Sequence, residues 1–294
     1  MVKEIRVKSV LNKHRKRDEW FLDDYSVNPY ELCMFNCVYC YIRGSKYGFN
    51  MQDELSVKIN ACQLLEKELQ RRARKGEYGF ISISSSTEPW QPIEEKYKLT
   101  RKMLQIILHY KFPIHVGTKS TLVERDIQLL KEIDENAILP KDLSNKLNHG
   151  VFVTFSFSSL EDRIAKIFEP AAPKPSERLE TLWKFRENGF FAGIAYIPVL
   201  PFISDTNEQL EMMIKTAKEF NASYVFVGAL TLQGTCKRLY YRVLQNHFPE
   251  LLPKYEEIFK RSFQPSKSYQ QKLEKKAFKL CKKYGVRYQI LSKS

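Results

Sequence analysis

Nowhere in the 294 residues does an apolar run approach the roughly 18 needed for a helix to cross a bilayer, which excludes a helical membrane span. The first residues, Val2-Lys-Glu-Ile-Arg-Val-Lys8, alternate charged and apolar side chains, unlike the apolar core of a secretory leader, so a cytoplasmic protein is expected. Acidic residues are in the minority, 34 against 48 basic ones, for a net charge of +14. Such an excess draws phosphate-bearing partners and makes nucleic acid a reasonable substrate class, although a lysine-rich proteome would raise the charge with no such partner. Histidine is scarce, five in all, and the one nearest in sequence to the clustered cysteines is His14, in the basic run Lys13-His-Arg-Lys-Arg17. That run is either a phosphate-contacting arm or a solvated segment.

Six cysteines remain to be explained, and three of them, Cys33, Cys37 and Cys40, are separated by three and then two residues. Clustering of this kind in a reducing compartment points to metal before disulfides. Thiolate is the soft ligand selected by iron–sulfur clusters and by zinc. A closed zinc site wants four protein ligands, and the fourth would have to come from a distant residue such as Cys62. Three thiolates on a four-iron cluster would instead leave one iron open to something that is not protein.

The spacing C-x3-C-x2-C followed by the aromatic Tyr41 resembles the signature of the radical S-adenosylmethionine (SAM) superfamily. The resemblance implies that Cys33, Cys37 and Cys40 hold a [4Fe-4S] cluster. Its open iron would be chelated by SAM, which is cleaved reductively to a 5′-deoxyadenosyl radical that abstracts hydrogen from a substrate. It also implies an electron donor such as a ferredoxin or flavodoxin.

Around this loop, strand-like and helix-like patterns alternate. A short strand is expected at 25–30, and glycines 44 and 48 mark turns. Apolar residues at helical spacing predict a helix over 55–74 with Cys62 on its buried stripe, and its basic end 71–75 suits a helix C-terminus. Strands at 79–85, 113–118, 151–157, 191–199 and 224–230 alternate with helices at 96–110, 123–134, 176–188 and 207–220. Counting the strand before the cysteines, six strand–helix units with nearly continuous apolar strands imply a parallel sheet buried on both faces. The expected fold is α/β: a partial (β/α)6 TIM-type barrel over 25–234, a basic segment 1–24 before it and a helical extension 235–294 after it. An open doubly wound sheet is the alternative.

In both architectures the chemistry belongs at the carboxyl ends of the strands, where Glu88, Lys119 and Ser156 stand. Glu88 is the candidate partner for the SAM amino group, Lys119 for its carboxylate, and Ser156 for its carboxylate or ribose. In the extension, Lys272, Lys275, Lys276, Lys279, Lys282 and Lys283 interleave with Leu273, Phe278 and Leu280. They read as a solvated lysine face on a helix packed over the open end of the barrel, or as a face over a nucleic-acid groove. Cys281 reads as packing, and Cys236, in a Gly-Thr-Cys loop, as unreactive.

Beyond the cysteines, further stretches carry a narrower resemblance, to the spore photoproduct lyase-like (DNA repair photolyase-like) branch. They are Asn28-Pro-Tyr30, Thr87-Glu-Pro-Trp-Gln-Pro-Ile-Glu94, Thr118-Lys-Ser120 with Arg125-Asp126, Phe168-Glu-Pro170 and Glu177-Arg-Leu179. That branch implies repair of a thymine lesion, radical-relay roles for Tyr39 and Tyr41, and SAM contacts at Lys119 and Ser156. One position departs from it: Ser85 stands where the lyases place a hydrogen-donating cysteine, and an O–H bond is far too strong for that role. Radical SAM modification of RNA, a peptide or a metabolite therefore stays open, as does a metal-stabilised nucleic-acid-binding protein without catalysis. If a base is flipped into the site, Trp90, Tyr39 and Tyr196 are the candidate stacking partners.

Overall fold

The structure, a computed structural model, describes residues 2–43, 54–83 and 85–291; the turns expected at glycines 44 and 48 lie outside them. In chain order, β1 (Lys3–Ile5), β2 (Leu11–Lys13), β3 (Asp23–Val27) and β4 (Tyr30–Glu31) precede the cysteine loop, and β5 (Ser56–Lys58) and α1 (Ala61–Arg74) follow it. Next come β6 (Phe80–Ile83), α2 (Glu94–Tyr97), α3 (Leu99–His109), β7 (Ile114–Thr118), a 3-10 turn (Thr121–Asp126) and α4 (Ile127–Asn136). The chain continues with β8 (Val151–Phe157), α5 (Asp162–Phe168), α6 (Pro175–Glu187), β9 (Phe191–Val199) and α7 (Asn207–Glu219). It closes with β10 (Tyr224–Ala229), α8 (Gly234–His247), α9 (Leu252–Ile258), α10 (Lys267–Tyr284) and β11 (Arg287–Tyr288).

The larger sheet has the order β2-β3-β6-β7-β8-β9-β10-β11. From β3 to β10 the neighbours are also consecutive strand–helix units, and the pairs β3–β6, β6–β7 and β9–β10 are parallel, as the partial (β/α)6 barrel requires. The reason is visible in the strands. Phe80–Ile83 is buried at every position and Val151–Phe157 at every position but Ser156, so both faces of these strands must be covered by helices.

Two compact units divide the chain. The first holds Met1–Met34, Gln52–Thr154 and Lys184–Ala192, the second Phe35–Met51, Phe155–Trp183 and Gly193–Ser294. In the first unit the Arg72 guanidinium is buried over the Tyr25 ring, 4.6 Å from its centroid, and pairs with Glu77 at 3.0 Å. In the second, an apolar cluster gathers Tyr39, Phe168, Cys236, Tyr240, Tyr255 and Phe259. Its phenols are satisfied in series: the Tyr240 and Tyr255 hydroxyls lie 2.9 Å apart, and Tyr255 donates to the Pro201 carbonyl at 2.6 Å.

Several boundaries differ from the sequence pattern. The expected helix 55–74 begins only at Ala61, because Ser56–Lys58 is a strand paired with β1 on one side and β4 on the other. Val57 is fully buried there, and Ile59, which fitted the helical period, is exposed. The helix expected at 96–110 is interrupted at Lys98, whose φ of +50° is left-handed, so α3 starts at Leu99. The stretch expected as a helix from 123 opens as a 3-10 turn, with the Ser120 hydroxyl accepting from the Leu122 N–H at 3.2 Å. Helix α5, seven residues burying Ile164, Ala165 and Phe168, is too short to show a period. Helix α10 packs against β10 and α7, burying Leu273, Ala277 and Cys281 while its seven lysines face solvent. Part of the early basic run is occupied internally: Arg17 pairs with Asp24 at 3.0 Å and with Asp142, and His14 bonds the Ser26 hydroxyl at 3.1 Å.

Candidate active site

In the first unit, the arm carrying Cys33 is fastened at alternate residues by the segment that follows β6. Tyr30 donates its phenol hydrogen to the Glu94 carboxylate, Thr87 donates its hydroxyl to the Leu32 carbonyl, and the Met34 N–H donates to the Gln91 side-chain oxygen at 2.8 Å. Leu32 takes a left-handed φ of +63° between them. Cys33 itself is half-buried.

The same segment presents Glu88. Its buried carboxylate accepts from the Thr118 hydroxyl at 2.7 Å, the Lys119 N–H at 2.9 Å and the Trp90 N–H at 3.1 Å. Burial pushes the Glu88 carboxyl above its ordinary range, and these donors pull it back. A carboxylate has about four lone-pair sites, so three donors leave room for one more. Lys119 lies half-buried at the end of β7. Beneath this pair, Trp90 donates its indole N–H to Asp126 at 2.8 Å, and Asp126 also accepts from Arg101 and Arg125. Arg125 reaches on to Glu94 at 2.8 Å, and both carboxylates are fully buried. The two ends of Thr87-Glu-Pro-Trp-Gln-Pro-Ile-Glu94 are thus tied to the arm and to the turn after β7. Ser85, at the end of β6, accepts from the Asn28 amide at 2.8 Å.

In the second unit, the loop bearing Cys37 and Cys40 is held by the chain that ends α5. The Val38 N–H donates to the Phe168 carbonyl at 2.8 Å, and Tyr39 donates its phenol hydrogen to Glu169. Burial, reinforced by the Glu169 carboxylate, keeps the Tyr39 phenol well above its ordinary range. Glu169 also accepts from the Ser158 hydroxyl at 2.8 Å and from Arg178. Arg178 donates to the carbonyls of Ser156 at 2.9 Å and Pro173 at 2.8 Å. Ser156 is half-buried at the end of β8, and Tyr41 is exposed. Cys236, fully buried in the first turn of α8, accepts from the Gln233 N–H at 3.2 Å; burial raises its thiol, and nearby Cys40 acts in the same direction.

Residues 27–217 match the model of the radical SAM superfamily. The chain belongs to the radical SAM superfamily. This radical SAM protein is 26% identical over 268 residues to a protein of Mycobacterium tuberculosis, covering 89% of this chain and 75% of that one. It is also 22% identical over 208 residues to a protein of Pseudomonas phage M6 named radical SAM Nalpha-GlyT isomerase, covering 70% of this chain and 39% of that one. Among solved structures, a spore photoproduct lyase variant with bound AdoMet and dinucleoside spore photoproduct aligns with a TM-score of 0.68 at 13% identity, covering 99% of this chain and 82% of that one. That likeness is one of fold. Membership makes the radical SAM protein an enzyme and implies SAM and an iron–sulfur cluster as its cofactors.

The donor set suits that cluster: three half-buried thiols share one short loop, and thiolate is the ligand iron–sulfur chemistry selects. Among the described residues no three His, Cys, Asp or Glu side chains form a grouping that could hold a metal ion. Trp90, Tyr39 and Tyr196 are all buried, with Tyr196 donating to the Ser204 carbonyl at 2.7 Å, so none is presented to a base. Cys62 is half-buried and its thiol is pushed up to about 11 by burial, which fits packing. Gln91, Asp126, Glu169 and Arg178 carry the site's scaffolding without a role readable in sequence. Each lies in a stretch quoted above for the lyase-like resemblance, which gave the position but not the partner.

Proposed function

We propose that Cys33, Cys37 and Cys40 bind a [4Fe-4S] cluster with one open iron, and that the enzyme abstracts hydrogen from a nucleotide or nucleic-acid substrate. The observation that carries this reading is the C-x3-C-x2-C loop, gripped by Thr87, Gln91 and Glu94 around Cys33 and by Phe168 and Glu169 around Cys37. When bound, the cluster supplies the electron that cleaves the SAM sulfonium. The chain's own residues bind and orient. Glu88 offers its remaining lone pair to the SAM amino group, Lys119 its ammonium to the carboxylate, and Ser156 its hydroxyl to the carboxylate or ribose. Buried Tyr39 and exposed Tyr41 flank Cys40, where a relay would run. An electron donor such as a ferredoxin or flavodoxin completes the reaction.

Support for the substrate class comes from the fold shared with a spore photoproduct lyase that holds a dinucleoside spore photoproduct and from the net charge of +14. The serine at position 85 argues for a different final hydrogen donor from a lyase's cysteine. The test is anaerobic: iron and sulfide per chain after reconstitution, then 5′-deoxyadenosine released from SAM with dithionite. About four irons and release are expected, with release abolished in Cys37→Ala while circular dichroism is unchanged. Zinc uptake without cleavage would replace this reading with that of a metal-stabilised binding protein. Affinity for nucleic acid should fall steeply with salt; a flat response would redirect the search to peptides or metabolites.

A further inference from the structure

Cys33 differs from the other two cysteines in how its backbone is held. The two peptide units that meet at its Cα are each gripped by a side chain of one distant segment. The carbonyl before Cys33, that of Leu32, accepts from the Thr87 hydroxyl at 2.5 Å. The N–H after it, that of Met34, donates to the Gln91 amide oxygen at 2.8 Å. The two gripping residues are themselves joined, for the Gln91 amide N–H points to the Thr87 hydroxyl oxygen at 3.5 Å. This makes a directional series, Gln91 N–H to Thr87 O–H to Leu32 C=O, in which each bond polarises the next. Both residues are buried, Gln91 completely.

Peptide units are planar, so fixing the two on either side of a Cα fixes its φ and ψ. The direction of the Cα–Cβ bond is then set, and the thiol retains only its side-chain rotation. A left-handed Leu32 and the bond from Tyr30 to Glu94 hold the approach to the same point. Packing alone gives no reason for a buried glutamine here, since an apolar side chain would fill the volume without needing partners. Its two polar atoms are spent on the Cys33 arm and on the residue that grips the other side of it. Between them, Glu88 is locked to Thr118 and Lys119, so one five-residue stretch sets both a metal ligand and a SAM contact.

We propose that Thr87 and Gln91 are positioning residues for the Cys33 thiolate, holding its backbone from both sides so that it meets the cluster in one orientation. The proposal rests on the cluster reading above. Outer residues that orient metal ligands typically account for about 10- to 100-fold in metal affinity. In anaerobically reconstituted protein, Thr87→Val should therefore lose iron to a chelator such as bathophenanthroline about tenfold faster than wild type, and should alter the electron paramagnetic resonance spectrum of the reduced protein. Thr87→Ser keeps the hydroxyl and should restore both. Gln91→Met, of similar volume, should behave as Thr87→Val does. If wild type binds a full complement of iron and Thr87→Val matches it in chelation rate and spectrum, the proposal is overturned and the cluster reading stands. A Thr87→Ser variant that fails to restore the rate lost in Thr87→Val would also overturn it, by pointing to side-chain shape instead of the hydrogen bond. Wild type that takes up no iron would overturn both readings.

Discussion

Replacing Arg178 by methionine should come close to unfolding the protein. The guanidinium and its partner carboxylate on Glu169 have side chains only 1% and 0% exposed, so neither charge is hydrated. Removing the cation leaves the Glu169 carboxylate buried beside the neutral hydroxyls of Tyr39 and Ser158, and breaking a buried pair from one side costs about 3–5 kcal/mol. The carbonyls of Ser156 and Pro173 also lose a donor, at about 1 kcal/mol or more each. The sum, roughly 5–7 kcal/mol, approaches the whole stability of an ordinary domain. Urea unfolding of the cluster-free protein, followed by circular dichroism, measures it directly. The double variant Arg178→Met/Glu169→Gln should recover at least about 2 kcal/mol of that loss, because a neutral amide at 169 needs no cation. A single variant costing under about 1 kcal/mol, or a double variant no more stable than the single one, would show that the pair is not the source of the stability.

The remaining expectations concern pH and SAM. His115 is fully buried, bonded to the Phe21 carbonyl at 2.7 Å and the Thr154 hydroxyl at 2.6 Å, and burial lowers its pKa from 6.5 to about 4. Between those values the unfolded chain binds the proton that the folded one refuses. The stability is therefore complete above pH 6.5 and falls by about 3 kcal/mol as the pH drops to 4, the product of 2.5 pH units and about 1.36 kcal/mol per unit. His115→Gln should flatten urea midpoints over that window, and parallel curves for variant and wild type would refute the assignment. Lys119→Met should weaken SAM binding at least about tenfold, the worth of one charge-assisted hydrogen bond, whereas Ser156→Ala should cost only a few-fold. Equilibrium dialysis separates the two, and equal losses would remove Lys119 from its place at the carboxylate.

The central strands were legible because each is a nearly continuous apolar run. Val151–Phe157 and Phe191–Val199 fall at the expected bounds, since polar residues such as Thr154 are too few within them to mask the run. The small sheet β1-β5-β4 was not, because Ser56–Lys58 owes its extended form to partners about 50 residues before it and about 25 before it, and its local pattern mimics a helix. Much the same division holds at the site. Cys33, Cys37 and Cys40 announce themselves by spacing, and Glu88 and Lys119 by their place after strands. Trp90, Asp126, Glu169 and Arg178 act through partners 36, 25, 130 and 22 positions away, and no local pattern encodes such pairings.

The margins of the eight-stranded ladder have a consequence for the protein in concentrated solution. A ladder of parallel strands that does not close on itself would offer a row of unpaired amides at each side, a template on which another chain could add. Here each margin ends in a fragment: three residues at Leu11–Lys13, running antiparallel to β3 with Asn12 and Lys13 exposed, and two at Arg287–Tyr288, with Arg287 exposed. Two or three residues give too few hydrogen bonds to seed a further strand, and the charged side chains resist a neighbour's approach. These two margins thus discourage neighbouring copies from joining edge to edge.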